Sequence, residues 1–171
     1  MTPPMDRPRF DATQGPRVIR PADGEALDLV ALGVRFIVSG AESGGGFSLV
    51  EHPIPARSLC APLHRHTHED EYSYVLEGRM GAQLGDDVVH ADAGDFVFKP
   101  RGQWHTFWNA GDGPCRILEI ISPGGFEQYF AEVVAGPAGR EGLAARYGLE
   151  FDFASIPRLC AEHGLVFPAP G

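Results

Sequence analysis

Between Pro62 and Tyr72 the chain reads Pro-Leu-His-Arg-His-Thr-His-Glu-Asp-Glu-Tyr, three imidazoles and three carboxylates in eleven residues. Imidazole and carboxylate are the donors that hold divalent transition metals. His64 and His66 are two residues apart, so on a strand both rings point to the same face and two nitrogens can converge on one ion. His68 continues the same parity, which makes His66 with His68 a competing pair. Glu69, Asp70 and Glu71 are all eligible carboxylate donors, and spacing does not choose among them. Further along stand His105, Glu119 in the otherwise apolar run from Ile117 to Ile121, and Lys99, the sole lysine. Glu119 and Lys99 read as solvated surface charges, with a place beside the ligands as the alternative, where a carboxylate of raised pKa would be a general base.

Short apolar runs separated by turn residues must position these groups. They are Val34 to Ser39, Phe47 to Glu51 after three glycines, Tyr72 to Glu77, Met80 to Leu84, Val88 and Val89, Phe96 to Phe98, Thr106 to Trp108 and Ile117 to Ile121. Runs of this length and frequency describe a β-sandwich or small barrel. After Pro123 the period changes. Phe126, Tyr129, Phe130, Val133 and Val134 form one stripe of an amphipathic helix, ended by Gly136 and Pro137. A second helical stretch is expected near Arg140 to Tyr147, and a third capped by Ser155 with Pro157 in its first turn. The expected organisation is a mobile N-terminal arm over residues 1–15, a barrel over 16–122 and a helical extension over 123–171 that covers it.

The 171 residues can bury a core without disulfides, and 43% hydrophobic with 22% charged residues is a globular composition. With 14 basic against 23 acidic residues, a formal charge of -9 and no basic stripe, nucleic acid is not an expected partner. No run reaches the length of a membrane span and the first residues lack a signal-peptide pattern, so a cytoplasmic protein without membrane contact is expected. Cys60, Cys115 and Cys160 are odd in number and widely spaced, which points to neither a disulfide framework nor a thiolate metal site.

Two spacings carry a resemblance to the cupins. His64-Arg65-His66, four residues, Glu71, six residues and Gly78 resemble the first cupin motif, which the frame beginning at His66 does not fit. Gly94, Pro100, Gly102, His105 and Asn109 fill every position of the second motif, G-x5-P-x-G-x2-H-x3-N, and Asn109 is the only asparagine. One position departs: Ser58 stands where the family usually opens with glycine. The resemblance implies an all-β fold, a single antiparallel cupin β-barrel (double-stranded β-helix, jelly roll) with a few C-terminal helices. It implies His64, His66, Glu71 and His105 as ligands of one divalent ion (Fe, Mn, Ni, Co, Cu or Zn), with Glu71 also the candidate catalytic base. His68 then falls outside the ligand set, and His52, His90 and His163 are structural.

Tyr72, Tyr74, Phe96, Phe98, Trp104, Phe107 and Trp108 surround the proposed ligands, and alternation sends about half inward to line a pocket for an apolar or aromatic small molecule. Parity with Glu71 puts Ser73 and Val75 on the ligand side. The segment from Ser122 to Phe130 and the tail with Tyr147-Gly-Leu and His163-Gly-Leu are similar to bacterial cupins grouped with the quercetin dioxygenases. That similarity implies a metal-dependent dioxygenase of an aromatic or enolisable substrate. The alternatives within the family are an isomerase of sugars or keto acids and a non-catalytic small-molecule binder or sensor, and a homodimer is expected by analogy.

Overall fold

A computed structural model describes residues 16, 18–135 and 142–168, so the expected arm over residues 1–15 and the helix end at Gly136 and Pro137 lie outside the described residues. Among the described residues eleven strands, all paired antiparallel, form two sheets. The first holds β1 (Ala26–Asp28), β2 (Gly33–Val38), β3 (Ser48–Ile54), β10 (Cys115–Ser122), β5 (Asp70–Glu77) and β8 (Phe96–Lys99), in that spatial order. The second holds β11 (Leu149–Asp152), β4 (Leu63–His66), β9 (His105–Asn109), β6 (Arg79–Leu84) and β7 (Asp87–Asp92). The inner faces meet in a core that joins Val75, Val97 and Ile117 of the first sheet to Met80, Ala82 and Phe107 of the second. The fold is the all-β, antiparallel barrel of two facing sheets that the sequence leads one to expect.

Each apolar run named in the sequence overlaps a strand, with bounds that differ by at most three residues. Alternation fixes the faces. In β5 the inward set is Glu71, Ser73 and Val75, and in β10 it is Cys115, Ile117, Glu119 and Ile121. β9 breaks the rule by being buried on both faces. The reason is α3 (Ser155–His163), whose Leu159 packs with Leu59, Leu165 and the outward Trp108.

The tail contains the expected helices, α1 (Glu127–Val134), α2 (Leu143–Arg146) and α3, but two details differ. Ser155 does not cap α3; it is the first helical residue, its hydroxyl donating to the Asp152 carbonyl and accepting from the Leu63 amide. Between α2 and α3 the chain forms β11, which pairs with β4 in the register Leu149 to His66 and Phe151 to His64. α1 lies on β1 and β3 and buries Phe126 with Val34, Phe36, Val50 and Ile121, while Val134, the last residue of the expected stripe, is exposed. Glu127, which the sequence did not single out, is buried and accepts from the Gly40 and Gly125 amides, each at 2.7 Å. That latch suits the place: a Cβ on Gly40 would come within 2.5 Å of the Gly125 nitrogen, so the two backbones meet only without a side chain there.

Candidate metal centre

β4 turns His64 and His66 inward, β5 does the same for Glu71, and β9 returns His105 directly opposite His64. One ligand atom from each of the four lies within 4.8 Å of the others, and all four residues are buried. His68 sits exposed beyond the end of β4, outside this group. Glu69 is buried behind His66, its Oε2 at 3.5 Å from Nδ1, and Asp70 is turned to an ion pair with Arg101 at 2.8 Å. Gly94 and Gly102, expected to shape the hairpin that carries His105, both take positive φ.

Backbone carbonyls fix the tautomers. The Pro62 carbonyl lies 2.9 Å from His64 Nδ1 and the Gln103 carbonyl 3.1 Å from His105 Nδ1. A carbonyl only accepts, so both Nδ1 atoms carry the hydrogen and both Nε2 atoms hold lone pairs. His105 Nε2 nevertheless faces Glu71 Oε2 at 3.2 Å, and His66 Nε2 faces Glu71 Oε1 at 3.4 Å. At His105 a lone pair against a carboxylate is repulsive unless a cation or proton lies between, and with His64 Nε2 also free to donate its lone pair the donor set fits a divalent ion. Imidazole and carboxylate ligands could hold any of the common divalent transition metals.

The charges agree. Burial, followed by the neighbouring His105 and His66 rings, holds His64 well below the ordinary histidine value, and burial lowers His105, which keeps both neutral as ligands must be. For His66 burial works against protonation, and the carboxylates of Glu71 and Glu69 outweigh it, raising the pKa. Burial pulls the Glu71 carboxyl upward, but His66, Lys99 and His105 overcome it and hold Glu71 well below the usual carboxylate range. Glu71 is therefore ionised.

Lys99 and Glu119 are not solvated charges. Both are buried, with Lys99 Nζ at 2.8 Å from Glu119 Oε1 and 3.2 Å from Glu71 Oε2. Burial, against the partial relief given by Lys99, pushes the Glu119 carboxyl up to about 6. The aromatic residues divide differently from expectation. Tyr72 stacks on Phe98 and Tyr74 lies tilted against Phe96 on the outer face of the first sheet, because Glu71, Ser73, Val97 and Lys99 occupy the inner one. Trp108 faces α3 and Arg65 lies over Trp104 at 5.1 Å, so of the seven only Phe107 enters the barrel, its ring 4.6 Å from Lys99 Nζ. The aromatic cover of the ligands comes from the tail: Phe126 meets His66 edge-on at 4.5 Å, and Phe151 lies 5.7 Å from His64.

Residues 54–121 match the family model described as Cupin domain. The chain is 33% identical over 60 residues to the tetracenomycin polyketide synthase protein TcmJ of Streptomyces glaucescens, which is 35% of this chain and 40% of that protein. It is 32% identical over 60 residues to the polyketide synthase CurC of Streptomyces cyaneus, 35% of this chain and 39% of that protein. The match thus spans less than half the length of these two curated relatives. Among solved structures, a Thermotoga maritima protein described as a predicted oxalate decarboxylase superposes with a TM-score of 0.56 at 23% identity, covering 63% of this chain and 99% of that one, a likeness of fold. Motif residues, strand order, family match and structural likeness agree that residues 54–121 of this chain form a cupin domain within an all-β fold of the same kind.

Proposed function

We propose that this cupin is a metal-dependent enzyme acting on a small molecule, with His64, His66, Glu71 and His105 as the ligands, and that its reaction is the dioxygenation of an aromatic or enolisable substrate. The observation that carries the reading is the buried convergence of three imidazoles and one ionised carboxylate under the rings of Phe126 and Phe151. Four protein donors leave room on a five- or six-coordinate ion for a substrate oxygen, and an ion bound here supplies Lewis acidity towards an enolate or phenolate. Glu71, ionised beside the substrate position, is the group available to accept the proton lost on enolisation. Phe126 and Phe151 keep water from the site and offer flat apolar surface to a planar substrate. The two polyketide synthase relatives support the enolisable class, since polyketones enolise readily and cyclise to phenols.

Protein reconstituted separately with Fe, Mn, Ni, Co, Cu and Zn is to be tested in an oxygen electrode with a panel of flavonols and β-diketones. The expected result is oxygen uptake that needs one of these metals and is lost in His105→Ala. Metal-dependent turnover of sugars or keto acids under nitrogen would favour the isomerase instead, and binding without turnover would leave a sensor.

A further inference from the structure

The sole lysine of the chain has no exposed side-chain surface, and burying an ammonium costs several kcal/mol unless opposite charge meets it. Two carboxylates meet Lys99, Glu119 at 2.8 Å and Glu71 at 3.2 Å. Strand order builds the arrangement. Lys99 stands opposite Glu71 across β8 and β5, and Glu119 stands opposite Ser73 across β10 and β5. Ser73 donates its hydroxyl to Glu119 Oε2 at 2.7 Å, leaving Oε1 to Lys99. A chain of contacts thus runs from Ser73 through Glu119 and Lys99 and ends on a residue of the donor set.

A buried ion pair is a poor device for stability alone, because apolar groups of similar volume do as well or better. What this one does is orient. The terminal torsion of a glutamate is broad, yet Glu71 has Oε2 held by Lys99 beside His105 Nε2 and Oε1 directed at His66 Nε2. We propose that Lys99, held by Glu119 and Ser73, is a positioning residue that tethers the Glu71 carboxylate in the orientation in which it meets the imidazoles, and so strengthens metal binding. The proposal rests on the metal-site reading above.

The test is the double variant Lys99→Met/Glu119→Gln, which removes one positive and one negative charge and keeps both volumes. Zn2+ affinity is measured by chelator competition, the melting temperature on the metal-free protein, and the coordination by the visible spectrum of the Co2+ form. The tether predicts Zn2+ affinity lower by about 10–100-fold and an altered Co2+ spectrum, with the metal-free melting transition showing that the variant is folded. Zn2+ affinity within about threefold of wild type, with an unchanged spectrum, overturns it. Should the double variant not fold, Glu119→Gln alone keeps the ammonium and loosens its anchor; a loss of about 3–10-fold supports the tether and an unchanged affinity overturns it. Metal content of His105→Ala equal to that of wild type would overturn the metal-site reading itself, whereas strong wild-type binding with indifferent variants overturns the tether alone.

Discussion

At His64 and His105 the direction of the free nitrogen is set by a carbonyl two residues earlier, Pro62 and Gln103, so each imidazole is oriented by a contact within its own segment of chain. His66 lacks such a carbonyl contact and leans on Glu69 and Glu71 instead. If these rings hold the ion, His66→Ala and His105→Ala lose most bound metal by elemental analysis while the exposed His68→Ala retains it; equal loss in all three would mean a different ligand register. His52 supplies a separate test. It is buried between Phe107 and Phe130 with Nδ1 donating to the Gly33 carbonyl, and burial lowers its pKa to about 4 from the ordinary 6.5. An unfolded chain therefore takes up this proton first as pH falls. The stability is full above about pH 6.5 and is lost progressively towards pH 4, by at most about 3 kcal/mol. Urea midpoints followed from pH 7.5 downward are expected to fall more steeply for wild type than for His52→Gln, and parallel curves would refute the assignment. At this scale much was legible in the sequence: parity with Glu71 alone sends Ser73 inward and Tyr72 and Tyr74 outward. The charge state of Lys99 and Glu119 was not, because a polar residue in an alternating run looks the same whether it meets water or a partner across the barrel.

Among the elements, the turn between β5 and β6 shows how closely the strands are tied. Gly78 has φ +77°, and a Cβ there would approach the Pro114 carbonyl oxygen to 2.4 Å, next to the start of β10. Gly78→Ala is expected to destabilise by about 2–4 kcal/mol, the sum of left-handed strain and overpacking, read as a lowered denaturant midpoint at unchanged slope. α1 is held at its start by Glu127. Glu127→Ala leaves the Gly40 and Gly125 amides without their acceptor and is expected to cost about 2–4 kcal/mol and to speed amide exchange across α1; wild-type exchange in α1 would show that the latch does not hold it. β2, β3 and β5 to β10 were readable because each combines an apolar run with a turn residue, and β4 through the parity of His64 and His66, whereas the three-residue β1 was not named. β11 was not, since Leu149–Asp152 is four residues between helices and becomes a strand only by pairing with β4. The meeting of Lys99 and Glu119 was hidden for a related reason: it needs β5 to lie between β10 and β8, an order that local periodicity does not state.

For the molecule as a whole, the outer face of the first sheet is the surface that bears on assembly. Phe96 and Phe98 are 64% and 50% exposed on the edge strand β8, and Tyr72, Tyr74, Leu118 and Ile120 continue the apolar surface inward across β5 and β10. We propose that two copies pair through this face, as the family resemblance leads one to expect. Light scattering on the eluting protein is expected to give twice the chain mass for wild type and the single mass for Phe96→Glu/Phe98→Glu. A monomeric wild type would reject the pairing. No helix among the described residues is long and apolar enough to cross a membrane. The pairing of β11 with β4 also has a consequence for how the protein comes into being. The strand bearing His64 and His66 meets β9 at a single residue pair, and its other edge is covered by residues 149–152. Residues 149–152 lie far along the chain from the histidines they cover, so that edge of β4 is closed only when the segment after α2 has folded back onto it.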